Sequence, residues 1–155
     1  MNEKKLTPGQ AAQKIKQFCT YQERSHAEVK EKLYLYGLYP KEVDEIVSNL
    51  VQDNYLNEER FAIQFAGGKF RMKKWGRVKI KYELKQKRVS EYCIKKALKE
   101  IDEDDYLQTL NDLLEQKLKT LKSEKNIFIK KKKLQVYLMQ KGFESDLLRE
   151  LINKI

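Results

Sequence analysis

Apolar residues recur along this chain at helical spacing, and the same pattern occurs three times. Val29 and Leu33, followed by Val43, Ile46 and Val47, have the i, i+3, i+4 spacing of amphipathic helices. A shift of 51 residues places all five positions on other apolar residues, and a further shift of 54 does so again. The matching sets are Ile80, Leu84, Ile94, Ala97 and Leu98, then Leu134, Leu138, Leu148, Leu151 and Ile152. This self-similarity predicts three units of one kind.

Each predicted unit contains three helices, because another helical stretch precedes each aligned pair, at about 8–21, 57–75 and 102–122. Three short helices bury little core alone, so we expect adjacent units to pack end to end. The predicted fold is all-α. It has an N-terminal tail at 1–7 and three-helix repeats at 8–53, 54–101 and 102–155.

Local signals support these helices. Thr7–Gln10 and Ser25–Glu28 have the spacing of capping boxes. Gly37 and Gly142, at corresponding positions, are suited to the left-handed residue that ends the second helix of a unit. Arg88 takes that place in the middle unit, so the stop there should be weaker or differently shaped.

One segment also fits a strand. Residues 77–84, Arg-Val-Lys-Ile-Lys-Tyr-Glu-Leu, alternate between polar and apolar. Their alignment with the capped segment 25–33 favours a helix. Within the preceding stretch, Gly67-Gly68 should loosen the helix or admit a close neighbour.

Composition argues against catalysis. The chain has two cysteines and one histidine. Cys19 and Cys93 are expected to be small buried residues, and His26 a surface residue in the first turn of a helix. These residues cannot form a zinc site of ordinary spacing, and no phosphate-binding loop or nucleophile–base pair is present. The acidic run Asp102–Asp105 is typical of a solvated helix start. We therefore expect no enzyme, no cofactor and no metal. Since the chain lacks an apolar run of bilayer length and an N-terminal signal core, we expect a cytoplasmic protein.

The net charge of +10 is concentrated in the middle unit. Residues 1–56 are neutral, residues 57–101 carry +9 and residues 102–155 carry +1. Between Lys69 and Arg88 there are ten Lys/Arg and a single acid, Glu83. Such localisation indicates a surface that binds a polyanion. The predicted binding residues are Lys69, Arg71, Lys73, Lys74, Trp75, Arg77, Lys79, Lys81, Lys85, Lys87 and Arg88.

Two features of this prediction have alternatives. Trp75 either stacks on a partner or anchors a core. The second basic run, Lys130, Lys131, Lys132 and Lys133, is either a solvated, partly snorkelling set or a secondary contact.

Three segments resemble the signature motifs of the RecX regulatory proteins of bacteria. They are Tyr21-Gln-Glu-Arg-Ser-His-Ala-Glu-Val-Lys-Glu-Lys-Leu33, Asn54-Tyr-Leu-Asn-Glu-Glu-Arg-Phe-Ala62 and Leu134-Gln-Val-Tyr-Leu-Met-Gln-Lys-Gly-Phe143. The resemblance covers about residues 10–155. It implies an elongated, curved array of three-helix repeats that lies in the groove of the RecA–DNA filament and usually inhibits RecA. It also implies direct DNA binding.

The chain departs from the family pattern at two places in its basic unit. Arg88 stands where glycine is common, and Trp75-Gly-Arg-Val lacks the frequent proline after glycine. Arg60 matches the family motif and is a candidate for either fold or contact.

The leading hypothesis is a monomeric regulator of RecA filaments in recombination, repair and the SOS response, with RecA and single- and double-stranded DNA as partners. One rival is a helix-turn-helix transcription factor, although lysines spread over two helices favour backbone contact over base reading. The other is a helical adaptor that binds an acidic protein.

Overall fold

The computed structural model describes residues 5–155, in which nine α-helices and one π-helical segment occur and no strand is found. The all-α prediction is confirmed. The first four residues of the predicted tail 1–7 lie outside the described residues. The helices are α1 Pro8–Tyr21, α2 His26–Leu35, α3 Pro40–Gln52, α4 Glu58–Gly68, α5 Arg77–Gln86, α6 Glu91–Lys99, α7 Glu103–Thr120, α8 Ile127–Gln140 and α9 Ser145–Asn153.

Both predicted capping boxes are formed. The Thr7 and Gln10 backbone N–H groups each donate to the other residue's side chain, over 3.0 and 3.2 Å. The Ser25 and Glu28 N–H groups do the same over 3.4 and 3.1 Å. Each box satisfies two N–H groups that a helix start leaves unpaired, so the sequence alone places the starts of α1 and α2.

The second helix of each of the three predicted repeats ends on a left-handed residue. The φ angles are +88° at Gly37, +62° at Arg88 and +98° at Gly142. After α5, the Arg88 N–H donates to the Lys85 carbonyl and the Val89 N–H to the Leu84 carbonyl, as in a Schellman turn. The stop at Arg88 therefore keeps the same left-handed turn instead of changing shape. It does so at the cost of a side chain in a region that favours glycine.

The ambiguous segment 77–84 is helical and lies within α5. Ile80 and Leu84, one turn apart, are both fully buried. The α-helix predicted at about 57–75 is shorter in the structure. Helix α4 ends at Gly68, and Lys69–Lys73 form a π-helical turn. Gly67 leaves room for the Arg71 guanidinium, whose Nη1 lies 2.7 Å from where a Cβ would stand.

The chain divides into two compact units. Unit 1 comprises the residues up to Gln64 together with Leu84–Lys96, and unit 2 comprises Phe65–Glu83 together with Ala97–Ile155. Thirteen of the fifteen aligned apolar positions are buried, and Leu98 and Leu151 are half-buried. The repeat boundaries at 53/54 and 101/102 stay predictions, because the two compact units share the residues of the middle repeat between them.

The core of unit 1 is built from helices α1 to α3 and the segment that follows them. Its fully or nearly fully buried members are Ala11, Ile15, Cys19, Val29, Leu33, Tyr36, Leu38, Val43, Ile46, Val47, Leu50 and Leu56. The predicted burial of both cysteines is confirmed, and Cys19 and Cys93 are free thiols. None of the helices in residues 5–155 combines the length and apolarity that crossing a membrane requires.

Unit 2 is organised around a buried tyrosine. The Tyr106 ring is fully buried and lies 5.7 Å from the Phe70 ring and 5.2 Å from the Phe143 ring. Its hydroxyl accepts a 2.9 Å hydrogen bond from the Arg77 backbone N–H and donates to a Glu144 carboxylate oxygen. Burial, and then the bond to Glu144, raise the pKa of Tyr106 well above its usual value, so this hydroxyl stays a donor.

The segment that leads into α5 is also held by close backbone contact with the turn between α8 and α9. The Gly76 N–H donates to the Lys141 carbonyl over 2.8 Å, and the Val78 N–H donates to the Gly142 carbonyl over 2.9 Å. A Cβ on Gly76 would lie 2.3 Å from the Gly142 oxygen. Only glycine at 76 therefore allows the start of α5 to meet the turn between α8 and α9.

Replacing Gly76 with alanine should destabilise the protein by about 1–3 kcal/mol, because the added methyl group overlaps backbone atoms that cannot move aside cheaply. Urea unfolding with an unchanged m-value would measure this loss. Gly68→Ala is the matched control. Gly68 is helical and a Cβ there meets nothing within 4 Å, so that variant should gain roughly 0.5–1 kcal/mol. Equal effects at the two glycines would contradict the backbone contact.

Candidate nucleic-acid interface

The predicted binding residues lie in one continuous stretch of chain, whose backbone conformation differs from one part to the next. Lys69–Lys73 form the π-helical turn, Lys74 is left-handed, Trp75 and Gly76 connect, and α5 begins at Arg77. Residues 69–83 belong to unit 2 and residues 84–88 to unit 1. A π-helical turn widens the helix locally, and such turns are frequent at functional sites.

The Arg77 side chain is bonded within unit 2. Its guanidinium lies 3.7 Å from the Tyr106 ring centroid, 2.8 Å from a Glu144 oxygen, and forms an ion pair with Glu103. Its backbone N–H is the donor to Tyr106, which a proline at 77 could not provide. The departure from the frequent family proline thus has a local explanation. The structure places Arg77 in the scaffold, with only 21% of its side chain exposed.

Trp75 has the packing contacts of the anchoring alternative and stays partly exposed. It is half-buried and packs edge-on against Phe65, with 6.5 Å between ring centroids. The Lys69 and Lys79 ammonium groups lie 5.2 and 4.6 Å from its ring centroid. Cation–π attraction holds both lysines close to the tryptophan. Trp75 is therefore a partly exposed platform that positions two half-buried cations.

Six of the predicted cations are exposed. In unit 2 these are Arg71, Lys73, Lys74 and Lys81; in unit 1 they are Lys85 and Arg88. Lys85 shares a 3.4 Å ion pair with Glu91, and the half-buried Lys87 lies 3.9 Å from Glu28. Exposed pairs of this kind are weak and are readily exchanged for another anion.

Two of the six exposed cations stand in left-handed backbone. Lys74 has a φ of +56° and Arg88 of +62°. Asn54 is the other non-glycine residue with positive φ in residues 5–155, and asparagine tolerates that region well. A basic side chain at 74 and 88 therefore lowers stability relative to glycine, and this cost calls for a compensating role.

A shallow cavity of about 270 Å³ adds residues that the sequence did not indicate. It is lined by Phe70, Arg71 and Lys74 together with Asp105, Gln108 and Thr109 of α7. Thr109 offers a hydroxyl beside two cations, whereas the Gln108 amide donates to Asp112 over 2.9 Å and Asp105 adds a negative charge. Their distance along the chain from the basic stretch is why its charge pattern could not reveal them.

The second basic run lies on α8. Lys130 and Lys131 are half-buried, whereas Lys132 and Lys133 are exposed. Lys133 lies 3.8 Å from Glu124, on the same unit. The half-buried pair fits the snorkelling alternative, in which the lysine stems cover apolar surface. Lys132 and Lys133 remain available to a partner.

Arg60, the arginine of the second family-like segment, is bonded within unit 1. Its guanidinium donates to Glu23, to the Asn54 side chain over 3.2 Å and to the Asn54 carbonyl over 3.1 Å. These bonds tie α4 to the segment between α1 and α2 and to the left-handed turn at Asn54. Of the two readings given for Arg60, the contacts favour the fold.

The prediction that His26 is a surface residue is wrong. The side chain is half-buried, and its Nε2 is buried without a hydrogen-bond partner in the part of the chain described. Glu58, which interacts electrostatically with His26, accepts a 2.6 Å bond from the Ser90 hydroxyl. Burial lowers the pKa of His26 below its usual value, against the opposing attraction of Glu58. No local pattern signals this burial, because Glu58 and Ser90 are distant from His26 along the chain.

By its fold, the chain is an all-α protein of tandem three-helix units with a lysine-rich middle stretch. The family model described as "RecX, second three-helix domain" matches residues 57–98. The model described as "RecX, third three-helix domain" matches residues 103–152.

Similar proteins agree with these matches. The regulatory protein RecX of Prosthecochloris aestuarii is 31% identical over 133 residues, which span 86% of this chain and 85% of that protein. The regulatory protein RecX of Clostridium tetani is also 31% identical over 133 residues, and the match spans 85% of this chain but 61% of that longer protein. The crystal structure of RecX from Lactobacillus salivarius has the same fold, with a TM-score of 0.86, 20% identity and 95% of each chain covered. The chain belongs to the RecX family.

The buried His26 predicts a pH dependence of stability. Because its folded-state pKa lies below the unfolded value of 6.5, the unfolded chain takes up a proton first as the pH falls. Stability should therefore be full above about pH 6.5 and decrease below it. Thermal unfolding at pH 7.5 and 5.5 should show a lower Tm at pH 5.5.

His26→Gln should reduce that difference in Tm, since His26 is the only histidine in the chain and carboxylates titrate mainly below this window. The same Tm difference in wild type and variant would show that another group is responsible.

Proposed function

We propose that this protein regulates the RecA recombinase, mainly as an inhibitor, by binding the RecA–DNA filament and DNA itself. Its family membership and the name "regulatory protein RecX" of its relatives support a regulatory role. The observation that carries the DNA-binding part is the set of six exposed cations within residues 71–88. Four of them lie in unit 2, where the neighbouring Arg77 is bonded internally.

The exposed cations fit the phosphate backbone better than base edges. Four of the six are lysines, which act as flexible point charges, and only Arg71 and Arg88 have the planar, rigid fork of donors that suits base reading. Backbone contact is independent of sequence, as a protein that follows a filament requires. This argues against the transcription-factor alternative.

Regulation in this proposal acts by binding and involves no catalysis by this protein. Each copy occupies RecA–DNA surface through contacts to phosphates and protein carboxylates, and so limits filament extension, ATP turnover and strand exchange. Trp75 serves by orienting Lys69 and Lys79, because these ammonium groups already lie close to its ring. The helical-adaptor alternative shares the basic surface but predicts no affinity for DNA.

Lys74 and Arg88, the two cations in left-handed backbone, allow an effect on DNA affinity to be distinguished from an effect on stability. Changing both Lys74 and Arg88 to glycine removes two charges and relieves two unfavourable φ angles. Stability should rise by roughly 0.5–1 kcal/mol at each position. DNA affinity should fall, and the slope of log K against log salt should flatten by about 1 for each phosphate that the variant no longer neutralises. Fluorescence anisotropy with a labelled oligonucleotide at several salt concentrations, beside urea unfolding, measures both effects.

The matched control changes Lys119 and Lys122 to alanine, which removes the same charge from exposed positions outside the basic stretch. Its salt slope should remain close to that of wild type. Equal slopes in the glycine variant, the control and the wild type would reject the proposed DNA contact.

Regulation of RecA is tested by ATP hydrolysis of the same organism's RecA on single-stranded DNA, titrated with this protein. Strong inhibition is expected well below one copy per RecA, because one bound copy should halt growth or turnover of many subunits. Full turnover at equimolar protein, with salt-sensitive binding to bare DNA retained, would replace the proposal with general DNA binding. Full turnover without DNA binding would favour the adaptor.

A further inference from the structure

Helix α8 is apolar on two opposite faces. Leu134 and Leu138 are fully buried and pack its inner face into unit 2. Phe128, Val136 and Met139 recur at helical spacing on the other side, where they are 81%, 43% and 49% exposed. An amphipathic helix at a protein surface ordinarily shows polar residues there.

These residues, with Ile129 and Lys132, define the outer α8 face. Ile129 is 45% exposed, and it follows Ile127, at 42%, and Phe128 in a run of three exposed apolar residues. Of the nine large apolar side chains exposed in the described residues of unit 2, five lie on α8. A concentration of this kind marks an interaction surface, because exposed apolar runs otherwise promote aggregation.

Basic grooves border the outer α8 face on both sides. On the α7 side, Lys117, Lys132 and Lys133 line a groove of about 290 Å³ with Val136 and Tyr137. On the α9 side, Lys131, Lys132 and Arg149 line one of about 220 Å³ with Phe128. None of the described residues that line either groove is a carboxylate. Two acids pair with the basic residues from outside the grooves, Glu124 at 3.8 Å from Lys133 and Asp146 at 3.8 Å from Arg149.

This arrangement fits a protein segment that carries apolar side chains among carboxylates. An apolar centre with a charged rim is the usual anatomy of a protein interface, and aromatic residues and methionine are enriched there. Phosphate groups would gain nothing from Phe128, Val136 and Met139. A membrane surface would take up an apolar face whose lysines lie on the opposite side, whereas here Lys132 lies in the middle of the face and lines both grooves.

We infer that the outer α8 face docks an acidic, apolar-bearing segment of the RecA protein, while the basic stretch at 71–88 contacts DNA. This inference rests on the proposed function and gives it a division of labour. DNA and protein would then be bound by different residues of one chain, and each contact could be removed without the other.

Photo-crosslinking tests the surface directly. Phe128 is replaced with p-benzoylphenylalanine, and the protein is irradiated with RecA filaments on single-stranded DNA in the presence of ATP. The expected product is a covalent adduct with a RecA peptide rich in Asp and Glu. Tyr21, an aromatic residue of similar exposure (84%) in unit 1, receives the same replacement as the control and should give little adduct.

Each other outcome overturns the inference. These outcomes are adducts with DNA alone, equal adducts from positions 21 and 128, or no adduct although the protein still inhibits ATP turnover. The last result leaves RecA regulation intact. A wild-type protein that does not inhibit RecA removes the proposed function and this inference together.

A second variant gives a readout in solution. Phe128→Ser with Met139→Ser should raise the concentration needed for half-inhibition of RecA at least tenfold, and leave affinity and salt slope on bare DNA unchanged. The side chains are exposed, so the Tm should be unchanged. Unaltered inhibition, or parallel loss of DNA binding, would contradict a separate protein-docking face. The wild-type protein is also tested on anionic lipid vesicles. If it binds them and the variant does not, while RecA inhibition is unchanged, the face binds membranes instead.

Discussion

The buried hydroxyl of Tyr106 is the constraint on which the arrangement of unit 2 depends. A buried hydroxyl without partners costs about 1–3 kcal/mol, so its surroundings must supply a donor and an acceptor. The Arg77 backbone and the Glu144 carboxylate do so from elements far apart in the chain. Together with the contact between Gly76 and Gly142, these bonds set the path of the chain into α5. Within unit 2, the exposed Lys74 and Lys81 lie on either side of this segment, whose path the buried hydroxyl helps to fix.

Much of the fold could be predicted because its signals are local. Capping boxes, left-handed helix ends and the spacing of apolar residues each involve side chains only a few positions apart. The candidate site was predictable only as a charge excess. Which cations are free depends on partners from other parts of the chain, and Arg77 illustrates this. It lies one helical turn from the exposed Lys81, yet Glu103 and Glu144 form ion pairs with it. His26 was misplaced for the same reason, since its neighbours are defined only by folding.

Helix α8 shows another limit of prediction from spacing. Leu134 and Leu138 fit the expected buried face, and the run Ile127-Phe128-Ile129 could be taken as more of the same core. Spacing shows which residues share a face, but the direction of each face depends on the helices that pack against it. The structure shows that α8 has more apolar side chains than its inner face can bury. This excess is what suggests a partner.

The single, half-buried histidine also bears on how the protein's charge responds to the cell. Lysine and arginine ordinarily titrate far above neutral pH, and His26 holds its proton even less readily than a free histidine. The net charge of +10 therefore varies little when the surroundings acidify modestly. Association with a polyanion would release metal ions from that polyanion while exchanging few protons. For a chain with this charge, ionic composition, and not acidity, would then be the variable through which the cellular environment adjusts the affinity for such a polyanion.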